Sequence, residues 1–298
     1  MAILINRESR VLIQGITGRE GSARARFMRD YGTKVVAGVT PGRGGESVHG
    51  IPVYDSVEEA ISMHGPIDVA VTFVPGPKLI EAVKEDIENN IKLVVMPVER
   101  VPLHDTMKMI TLARNKGITL IGPGSIGVIS PGEAVVGWIG GSLEMAQKVF
   151  KKGNLGVISR SGGQTTTVSW LLSKNGFGVS TAIHVGSEAV VGTTIAEILE
   201  LFQRDDETHA VVIFGEVGGV MEEEAAELIM SGGFDKPVVA YIVGRGVQRG
   251  IRYSHSSVFV EGGEDSYSRK VNMLKEAGAH IAEEPGEIPV ILRKIIRR

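Results

Sequence analysis

Short apolar segments rich in β-branched residues alternate with longer stretches of helical periodicity in the first part of the chain. A buried strand of a parallel sheet is a short apolar run, whereas an amphipathic helix repeats its apolar positions every three to four residues. The segments with the strand pattern are RVLIQG, KVVAGV, VAVTFV, KLVVMPV and TLIGP. The helical stretches between them are EGSARARFMRDYG, SVEEAISMHG, KLIEAVKEDIENN and DTMKMITLARNKG. This alternation predicts a parallel sheet with right-handed crossovers.

The alternation loosens after Pro123, where a segment rich in Gly, Pro and Ser is typical of an interdomain connection. It then resumes with a second series of apolar segments. The predicted strands of this series are LGVISRS, VSTAIHVG, HAVVIFGE, KPVVAYIVG, VFVEGG and HIAEE. We therefore predict two doubly wound α/β domains, one over residues 1–128 and one over residues 129–298.

The composition is that of a globular protein, with 43% hydrophobic and 22% charged residues. The formal net charge of −3 creates no field that would favour nucleic acid as a partner. The absence of cysteine excludes disulfides, zinc–thiolate sites and thiol catalysis, and it fits a reducing cytoplasm. No apolar stretch approaches the length of about 18 residues that a membrane span needs. We therefore expect a cytoplasmic protein without a membrane partner.

The segment VLIQGITGREGS leads from a predicted strand into a predicted helix through Gly15, Gly18 and Gly21. Glycines permit a tight turn and a close approach of backbone to phosphate, and the helix N-terminus adds free N–H groups. An NAD site needs an acid at the end of the second strand, but this strand offers Arg43 and no acid before Glu46, which argues against a dehydrogenase. Arg43 would attract the extra phosphate of coenzyme A (CoA). The alternative is a structural turn followed by a surface arginine.

Two further strand-to-helix turns, GVISRSGGQTTTV and VVIFGEVGGVMEEEAAE, also carry glycines. Each can direct backbone N–H groups toward an anion, although ordinary helix N-caps would explain either turn alone. We interpret MEEEAAE as the charged first turns of a helix. A third segment, YSHSSVFVEGG, places His255 among serines. Imidazole is a competent nucleophile toward phosphorus, and fixed donors at helix N-termini would stabilise the phosphoryl charge.

Motifs along nearly the whole chain resemble the alpha subunit of succinyl-CoA synthetase, a succinate–CoA ligase. They are, in chain order, GITGREG, GTKVVAGVTPGRGG, VHGIPVYDSVEEA, IGPGSIGVISPGE, GVISRSGG, GFGVST, GEVGGVMEEEAAE, KPVVAYIVG and LKEAGA. The resemblance implies a Rossmann-like CoA-binding domain followed by a flavodoxin-like doubly wound ligase domain that carries a phosphohistidine loop. It also implies a ligase of the tricarboxylic acid cycle, in which a phosphoryl group passes from a nucleoside triphosphate to histidine and then to an acid, before CoA displaces it.

The same resemblance implies the residues of the site. His255 would carry the phosphoryl group, and Glu216 would contact its imidazole. The phosphate would lie at the turn formed by Ser159, Ser161, Gly162 and Gly163, and Thr166 would lie near the acid. The residues that would bind CoA are Gly15, Thr17, Gly18, Arg19, Glu20, Arg43, Pro97, Val98 and Glu99.

The chain has no G-x-x-x-x-G-K-S/T loop, so we do not expect it to bind a nucleoside triphosphate alone. The resemblance implies an ATP-grasp beta subunit that binds ATP or GTP with Mg²⁺, in an αβ or α2β2 complex, and a small dicarboxylic acid as substrate. No spacing of the histidines suggests a metal site in this chain. We interpret His184 as a hydrogen-bonded residue at a strand end, and Trp138 and Trp170 as packing residues.

The chain departs from the family's pattern mainly at the second site. SHSSV stands where the family has Gly-His-Ala-Gly-Ala, and Thr166 stands where it has a tyrosine. GPGSIG, GSEA and PVER replace the usual Gly-Pro-Asn-Cys-Pro-Gly, Gly-Gly-Asp-Pro and Ile-Thr-Glu-Gly. SRSGG and GWIGGSLE also resemble ATP-citrate lyase, so citrate or malate is an alternative acid. A CoA-binding regulatory protein without catalysis is a second alternative.

Overall fold

The computed structural model describes residues 3–246 and 266–296. In this part of the chain the strands form two seven-stranded sheets, one built from the first part of the chain and one from the rest. The strands of the first sheet are β1 (Arg10–Gln14), β2 (Lys34–Val39), β3 (Ser47–Val48), β4 (Ile51–Tyr54), β5 (Val69–Thr72), β6 (Leu93–Val95) and β7 (Thr119–Ile121). Their order is β3-β4-β2-β1-β5-β6-β7, and only the β3–β4 pair is antiparallel. The six parallel strands have the Rossmann order.

The second sheet begins with a hairpin and continues with five parallel strands. Its strands are β8 (Gly127–Ser130), β9 (Ala134–Gly137), β10 (Lys152–Ser159), β11 (Val179–His184), β12 (Ala210–Glu216), β13 (Val238–Val243) and β14 (His280–Ile281). Their order is β14-β13-β12-β10-β11-β8-β9. The parallel part has the strand order of flavodoxin, and β8 pairs antiparallel with β11. The predicted fold class is therefore confirmed.

Helices cover both sheets, which is why the central strands are apolar along their whole length. The described helices are α1 (Arg19–Tyr31), α2 (Val57–His64), α3 (Leu79–Glu88), α4 (Leu103–Asn115), α5 (Leu143–Val149), α6 (Gly162–Lys174), α7 (Ile195–Gln203), α8 (Met221–Met230), α9 (Ser266–Glu276) and α10 (Ile288–Ile295). Within residues 3–246 and 266–296, no helix combines the length and the apolar composition that a membrane crossing requires. The predicted strand VFVEGG lies outside the described residues.

The β8–β9 hairpin joins the two sheets into one body, and the hydrophobic pattern did not predict it. The backbone of the hairpin is hydrogen-bonded to buried Thr33 of the first domain. Oγ1 of Thr33 donates to the carbonyl of Val135 at 2.8 Å and accepts from the N–H of Val135 at 2.9 Å. Ser130 Oγ donates to the carbonyl of Ile5 at 3.0 Å. The predicted boundary between residues 128 and 129 falls within β8, a strand of the second sheet. That boundary stays a prediction.

Candidate functional site

The turn between β1 and α1 needs glycine for two steric reasons. Gly15 has a φ of 74°, and a Cβ atom there would lie 2.3 Å from the carbonyl oxygen of Phe73. A Cβ atom at Gly21 would lie 2.2 Å from the carbonyl oxygen of Gly15. Gly18 is the N-cap residue of α1 and has an extended conformation, and as a glycine it offers no side chain to accept a hydrogen bond from the helix. The turn is therefore tight, and the first N–H groups of α1 have no capping side chain.

Two neighbouring cavities open at this turn and share residues Gly18 and Phe73–Pro75. The first has a volume of about 430 Å³ and extends over the end of β2 and the start of α3. The second has a volume of about 460 Å³ and extends toward the loop after β6. Of the predicted CoA residues, Gly15, Thr17 and Gly18 line the first cavity. Gly18, Arg19, Glu20, Pro97 and Val98 line the second.

Two predicted CoA residues, Arg43 and Glu99, line neither cavity. Arg43 is exposed in the loop after β2 and forms an ion pair with Glu46, with Nη2 and Oε2 2.7 Å apart. The hydrogen bond between the two side chains raises the pKa of Arg43 and lowers the pKa of Glu46. Glu99 is exposed on the loop after β6. A ligand phosphate would have to compete with Glu46 for Arg43.

Trp138, interpreted from sequence as a packing residue, also lines the second cavity. Its ring centroid lies 6.0 Å from that of Phe73, and the guanidinium carbon of Arg24 lies 4.9 Å from its ring centroid. Trp138 follows β9, so the hairpin of the second sheet supplies one wall of a cavity in the first domain. Trp170, in contrast, is 43% exposed on α6, so its packing prediction is wrong.

Beneath the first cavity, a fully buried carboxyl group supports the end of β1. The side-chain nitrogen of Gln14 lies 2.8 Å from Oδ1 of Asp86 and 2.9 Å from the carbonyl oxygen of Ala82. Oδ2 of Asp86 has no hydrogen-bond partner among the described residues. Burial raises the pKa of Asp86 well above its ordinary value, and the nearby charge of Glu85 adds to the effect.

The predicted phosphate turn lies between β10 and α6. Ser159 Oγ donates to the carbonyl of Ser161 at 2.8 Å and accepts from the N–H of Ser161 at 3.1 Å. α6 begins at Gly162, with no side-chain cap and no acidic residue in its first turn. A Cβ atom at Gly163 would meet nothing within 4 Å, whereas one at Gly162 would lie 3.0 Å from a side-chain carbon of Ile126, so the helix end is open on the side of Gly163. This N-terminus has the positive end of a helix dipole with no neutralising carboxylate in its first turn.

A buried ion pair, which the sequence did not predict, joins this turn to the end of β12. Nη2 of Arg160 lies 3.2 Å from Oε1 of Glu216, and the two side chains are 3% and 4% exposed. The guanidinium also donates to the carbonyls of Gly186 at 2.8 Å and Glu188 at 3.2 Å. The predicted catalytic residue Glu216 is therefore buried in contact with a fixed cation. The motif SRS gives no local signal of this burial, because arginine is mostly a surface residue and the partner Glu216 is distant in sequence.

His184 is hydrogen-bonded through both ring nitrogens, as predicted for a strand-end residue. Its Nδ1 accepts from the N–H of Ile126 at 2.9 Å, so the proton lies on Nε2, which donates to the carbonyl of Arg160 at 3.2 Å. These two bonds select the tautomer of His184 that is protonated on Nε2. The bond from Nε2 also holds the backbone carbonyl of Arg160 in place.

The turn between β12 and α8 is closed by side chains of its own helix and of α9. The N–H of Glu216 donates to Oε1 of Glu222 at 3.0 Å, and the N–H of Gly218 donates to Oγ of Ser266 at 3.1 Å. Lys270, which is fully buried, donates to Glu222 at 2.5 Å and Glu223 at 2.7 Å. MEEEAAE does form the charged first turns of a helix, as predicted, and the structure adds that Glu222 and Glu223 are buried there.

A cavity of about 400 Å³ lies beside this turn and the Arg160 guanidinium, against α4 of the first domain. Thr166 is half-buried in the second turn of α6 and does not line it. His255 lies outside the described residues. Within residues 3–246 and 266–296, no group of three or more His, Asp or Glu side chains is placed to hold a metal ion.

Backbone hydrogen bonds connect the loop that lines the second cavity to the loop that holds the ion pair. The carbonyl of Val98 accepts from the N–H of Gly124 at 2.8 Å, and the carbonyl of Gly124 accepts from the N–H of Ser187 at 3.3 Å. Ser187 lies between the two residues whose carbonyls bind Arg160. A ligand lying along the cavity from the β1–α1 turn past Val98 thus approaches the loop that holds the ion pair.

Family models match both halves of the chain. The model of the CoA binding domain matches residues 6–99, and the model of the CoA-ligase family matches residues 158–280. A CoA-binding domain and a CoA-ligase domain in one chain define the class of acid–CoA ligases.

Relatives identify the family within this class. An ADP-forming sulfoacetate–CoA ligase subunit from an Acholeplasma species is 43% identical over 299 residues, covering 99% of this chain and 98% of that protein. An ADP-forming succinate–CoA ligase alpha subunit from Aquifex aeolicus is 42% identical over 299 residues, covering 100% of this chain and 95% of that protein. The chain belongs to the family of the succinate–CoA ligase alpha subunits, and the predicted resemblance is confirmed.

A solved structure shows the same fold in a longer protein. ATP citrate lyase from Methanothrix soehngenii, in complex with citrate and coenzyme A, superposes with a TM-score of 0.88 at 19% identity over 99% of this chain. The chain spans about half of that lyase, 52% of its length.

Asp86→Asn should change how stability depends on pH. The folded protein retains a proton on Asp86 that the unfolded chain releases above a pKa of about 3.9. The free energy of unfolding of the wild type should therefore fall as the pH rises from about 4 toward the raised folded-state pKa of Asp86. A neutral Asn lacks this loss, so the variant should gain stability relative to the wild type as the pH rises.

Urea unfolding at several pH values measures this difference, and Asp206→Asn, which changes an exposed aspartate, is the control. A difference between Asp86→Asn and the wild type that stays constant from pH 4 to pH 8 would contradict the raised pKa.

Lys270→Met should destabilise the fold strongly, because it leaves the buried Glu222 carboxylate without its cation. Removing one partner of a buried ion pair costs about 3–5 kcal/mol. The free energy of unfolding, measured in urea, should fall by this amount, and adding Glu222→Gln should restore part of it. Lys148→Met, on an exposed side of α5, should have little effect. A loss as small for Lys270→Met as for Lys148→Met would show that the pair is not buried.

Proposed function

We propose that the chain binds CoA in the two cavities of its first domain and carries a phosphoryl group on His255 in its second. The observation that carries the proposal is the pair of joined cavities at the β1–α1 turn, which seven of the nine predicted CoA residues line. The turn offers N–H donors to a pyrophosphate. The second cavity, between Pro97, Val98 and Trp138, suits the long uncharged arm of the coenzyme and leads it toward the second site.

The proposed chemistry is two phosphoryl transfers followed by thiol displacement. A ring nitrogen of His255 attacks the γ-phosphorus of the nucleoside triphosphate, and the nucleoside diphosphate leaves. The acid's carboxylate oxygen then attacks the phosphorus and frees the imidazole, which produces an acyl phosphate. The CoA sulfur attacks the acyl carbon as its proton departs, and inorganic phosphate leaves. The open N-terminus of α6, with Ser159, Ser161, Gly162 and Gly163, supports the phosphate in this scheme.

Glu216 supports the imidazole in the proposed scheme. An ionised carboxylate on one ring nitrogen holds the other free to attack phosphorus. The buried guanidinium of Arg160, 3.2 Å away, favours the ionised form of Glu216 and fixes its position. Thr166 is proposed to lie near the acid, since it is half-buried one turn along α6 from the phosphate turn.

The proposed acid is small and carries a second anionic group. Relatives of nearly equal identity are named for succinate, which has two carboxylates, and for sulfoacetate, which has a carboxylate and a sulfonate on a single methylene carbon. Succinate is the first candidate because more of the named relatives use it, and sulfoacetate is the second because the 43% and 42% identical subunits are named for it. The relatives of both kinds are named as ADP-forming enzymes, which favours ATP as the phosphoryl donor. In this proposal a beta subunit binds the ATP with Mg²⁺.

Arg43→Ala should weaken CoA binding by about tenfold to a hundredfold, because a charge-assisted phosphate contact is worth about 1.5–3 kcal/mol. The affinity for dephospho-CoA, which lacks the 3′-phosphate, should fall less in Arg43→Ala if that phosphate is the partner of Arg43. Isothermal titration of the full chain measures both affinities. Arg26→Ala is the control, since Arg26 is also an exposed arginine paired with an acid, Asp30. An unchanged CoA affinity in Arg43→Ala would remove Arg43 from the site.

Incubation with the beta subunit and γ-labelled ATP should give an acid-labile, base-stable label that His255→Asn lacks. Glu216→Gln keeps the shape and loses the charge, so labelling should slow at least tenfold while CoA binding persists. Glu133→Gln, at an ion pair with Lys152 away from the site, is the control. Full labelling of His255→Asn would contradict the proposal that His255 carries the phosphoryl group.

The labelled complex also identifies the acid. Succinate, sulfoacetate, malate and citrate are added separately with CoA, and the substrate is the acid that discharges the label fastest. Discharge by citrate alone would replace both leading candidates. CoA binding without any label would instead favour a regulatory protein that lacks catalysis.

A further inference from the structure

Gln14 forms part of the floor of the first cavity, and its side chain is held in one orientation. It is the last residue of β1 and only 4% exposed. Its amide nitrogen donates to the carbonyl of Ala82 at 2.9 Å and to Oδ1 of Asp86 at 2.8 Å. A backbone carbonyl can only accept, so the nitrogen of Gln14 is fixed on that side and both of its protons are used.

The carbonyl oxygen of Gln14 is therefore left facing the cavity. No donor among the described residues bonds this oxygen. The fully enclosed side-chain atoms without a partner in the described part of the chain are Nε of Arg10, Nε of Arg24 and Oδ2 of Asp86. Oε1 of Gln14 has no partner among the described residues either, but it is not among these enclosed atoms. It is therefore accessible from the first cavity, which Gln14 lines. A ligand there meets an oriented acceptor in a mostly enclosed position.

The surroundings favour a flat, uncharged ligand group with N–H donors. Val39 and Pro41 line one part of the cavity, and Val74 and Pro75 line another. The charged side chains that line it are Glu81 and Glu85 of α3 and Lys78, so two carboxylates face one cation and a phosphate is disfavoured at this end. The N-terminus of α1, on the other side of the β1–α1 turn, is the better place for the phosphates. The adenine ring is the part of CoA that is flat, neutral and equipped with an amino group.

We infer that Oε1 of Gln14 accepts a hydrogen bond from the exocyclic amino group of adenine and that Asp86 is its positioning residue. The inference rests on the proposed binding of CoA and adds the contact that selects the base. A coenzyme with hypoxanthine in place of adenine presents an oxygen acceptor at that position. Two acceptors then face each other, and the bond is lost without replacement.

Isothermal titration compares the full chain's affinity for CoA and for the hypoxanthine analogue. The wild type should bind the analogue about tenfold to a hundredfold more weakly. Gln14→Met keeps the length of the side chain and removes the acceptor, so its two affinities should agree within roughly threefold. Gln147→Met changes an exposed glutamine on α5 and should keep the wild-type preference.

Asp86 supplies the positioning test. Asp86→Asn can still offer an oxygen to the amide of Gln14 and should keep the preference for adenine. Asp86→Leu cannot, so its preference should fall. Equal wild-type affinity for both coenzymes, or a preference that survives in Gln14→Met, overturns the inference and leaves CoA binding standing. No binding of CoA by the wild type overturns the proposed function and the inference with it. The wild-type comparison decides the matter even if a variant does not fold.

Discussion

A parallel sheet whose strand order reverses must open a crevice where the connecting helices leave toward opposite faces. In the first sheet this reversal lies between β1 and β5, and in the second it lies between β10 and β12. The two cavities of the first domain are lined from the ends of β1 and β5, and the Arg160–Glu216 pair joins the ends of β10 and β12. The positions of both candidate sites follow from this constraint.

The ion pair between Arg160 and Glu216 bridges the crevice of the second sheet. Burying two charges costs several kcal/mol per ion, and the attraction between them offsets this only with further hydrogen bonds. Arg160 obtains them from the carbonyls of Gly186 and Glu188. The backbone of Glu216 is held in turn by Glu222, which Lys270 neutralises. The pair is therefore one part of a network that fixes three loops relative to the strand ends.

The sequence was sufficient to predict the alternation of strands and helices, since local periodicity carries that information. It also placed the β1–α1 turn, because the positive φ of Gly15 and the contact of Gly21 with the carbonyl of Gly15 are both local to this short segment. The β8–β9 hairpin was missed because glycine and proline around its short strands are more typical of a loop. Lys270 and the place of Trp138 in the cavity wall were missed for a different reason, although Trp138 does pack as predicted. Their roles depend on partners distant in sequence, Phe73 and Glu222, which no local pattern specifies.

The two helix N-termini beside the second crevice differ in charge, and this separates their roles. α6 begins with glycines and has no acidic residue in its first turn, whereas α8 begins with Glu222, Glu223 and Glu224. Burial raises the pKa of Glu224, and the charges of the neighbouring glutamates add to the shift, so this end already carries more carboxylate than it easily accommodates. An anion is stabilised at α6 by the helix dipole and repelled at α8 by the acids. The carboxylate of Glu216 is accordingly held by Arg160 and not by the start of α8, and of the two helix N-termini only that of α6 has no acidic residue in its first turn.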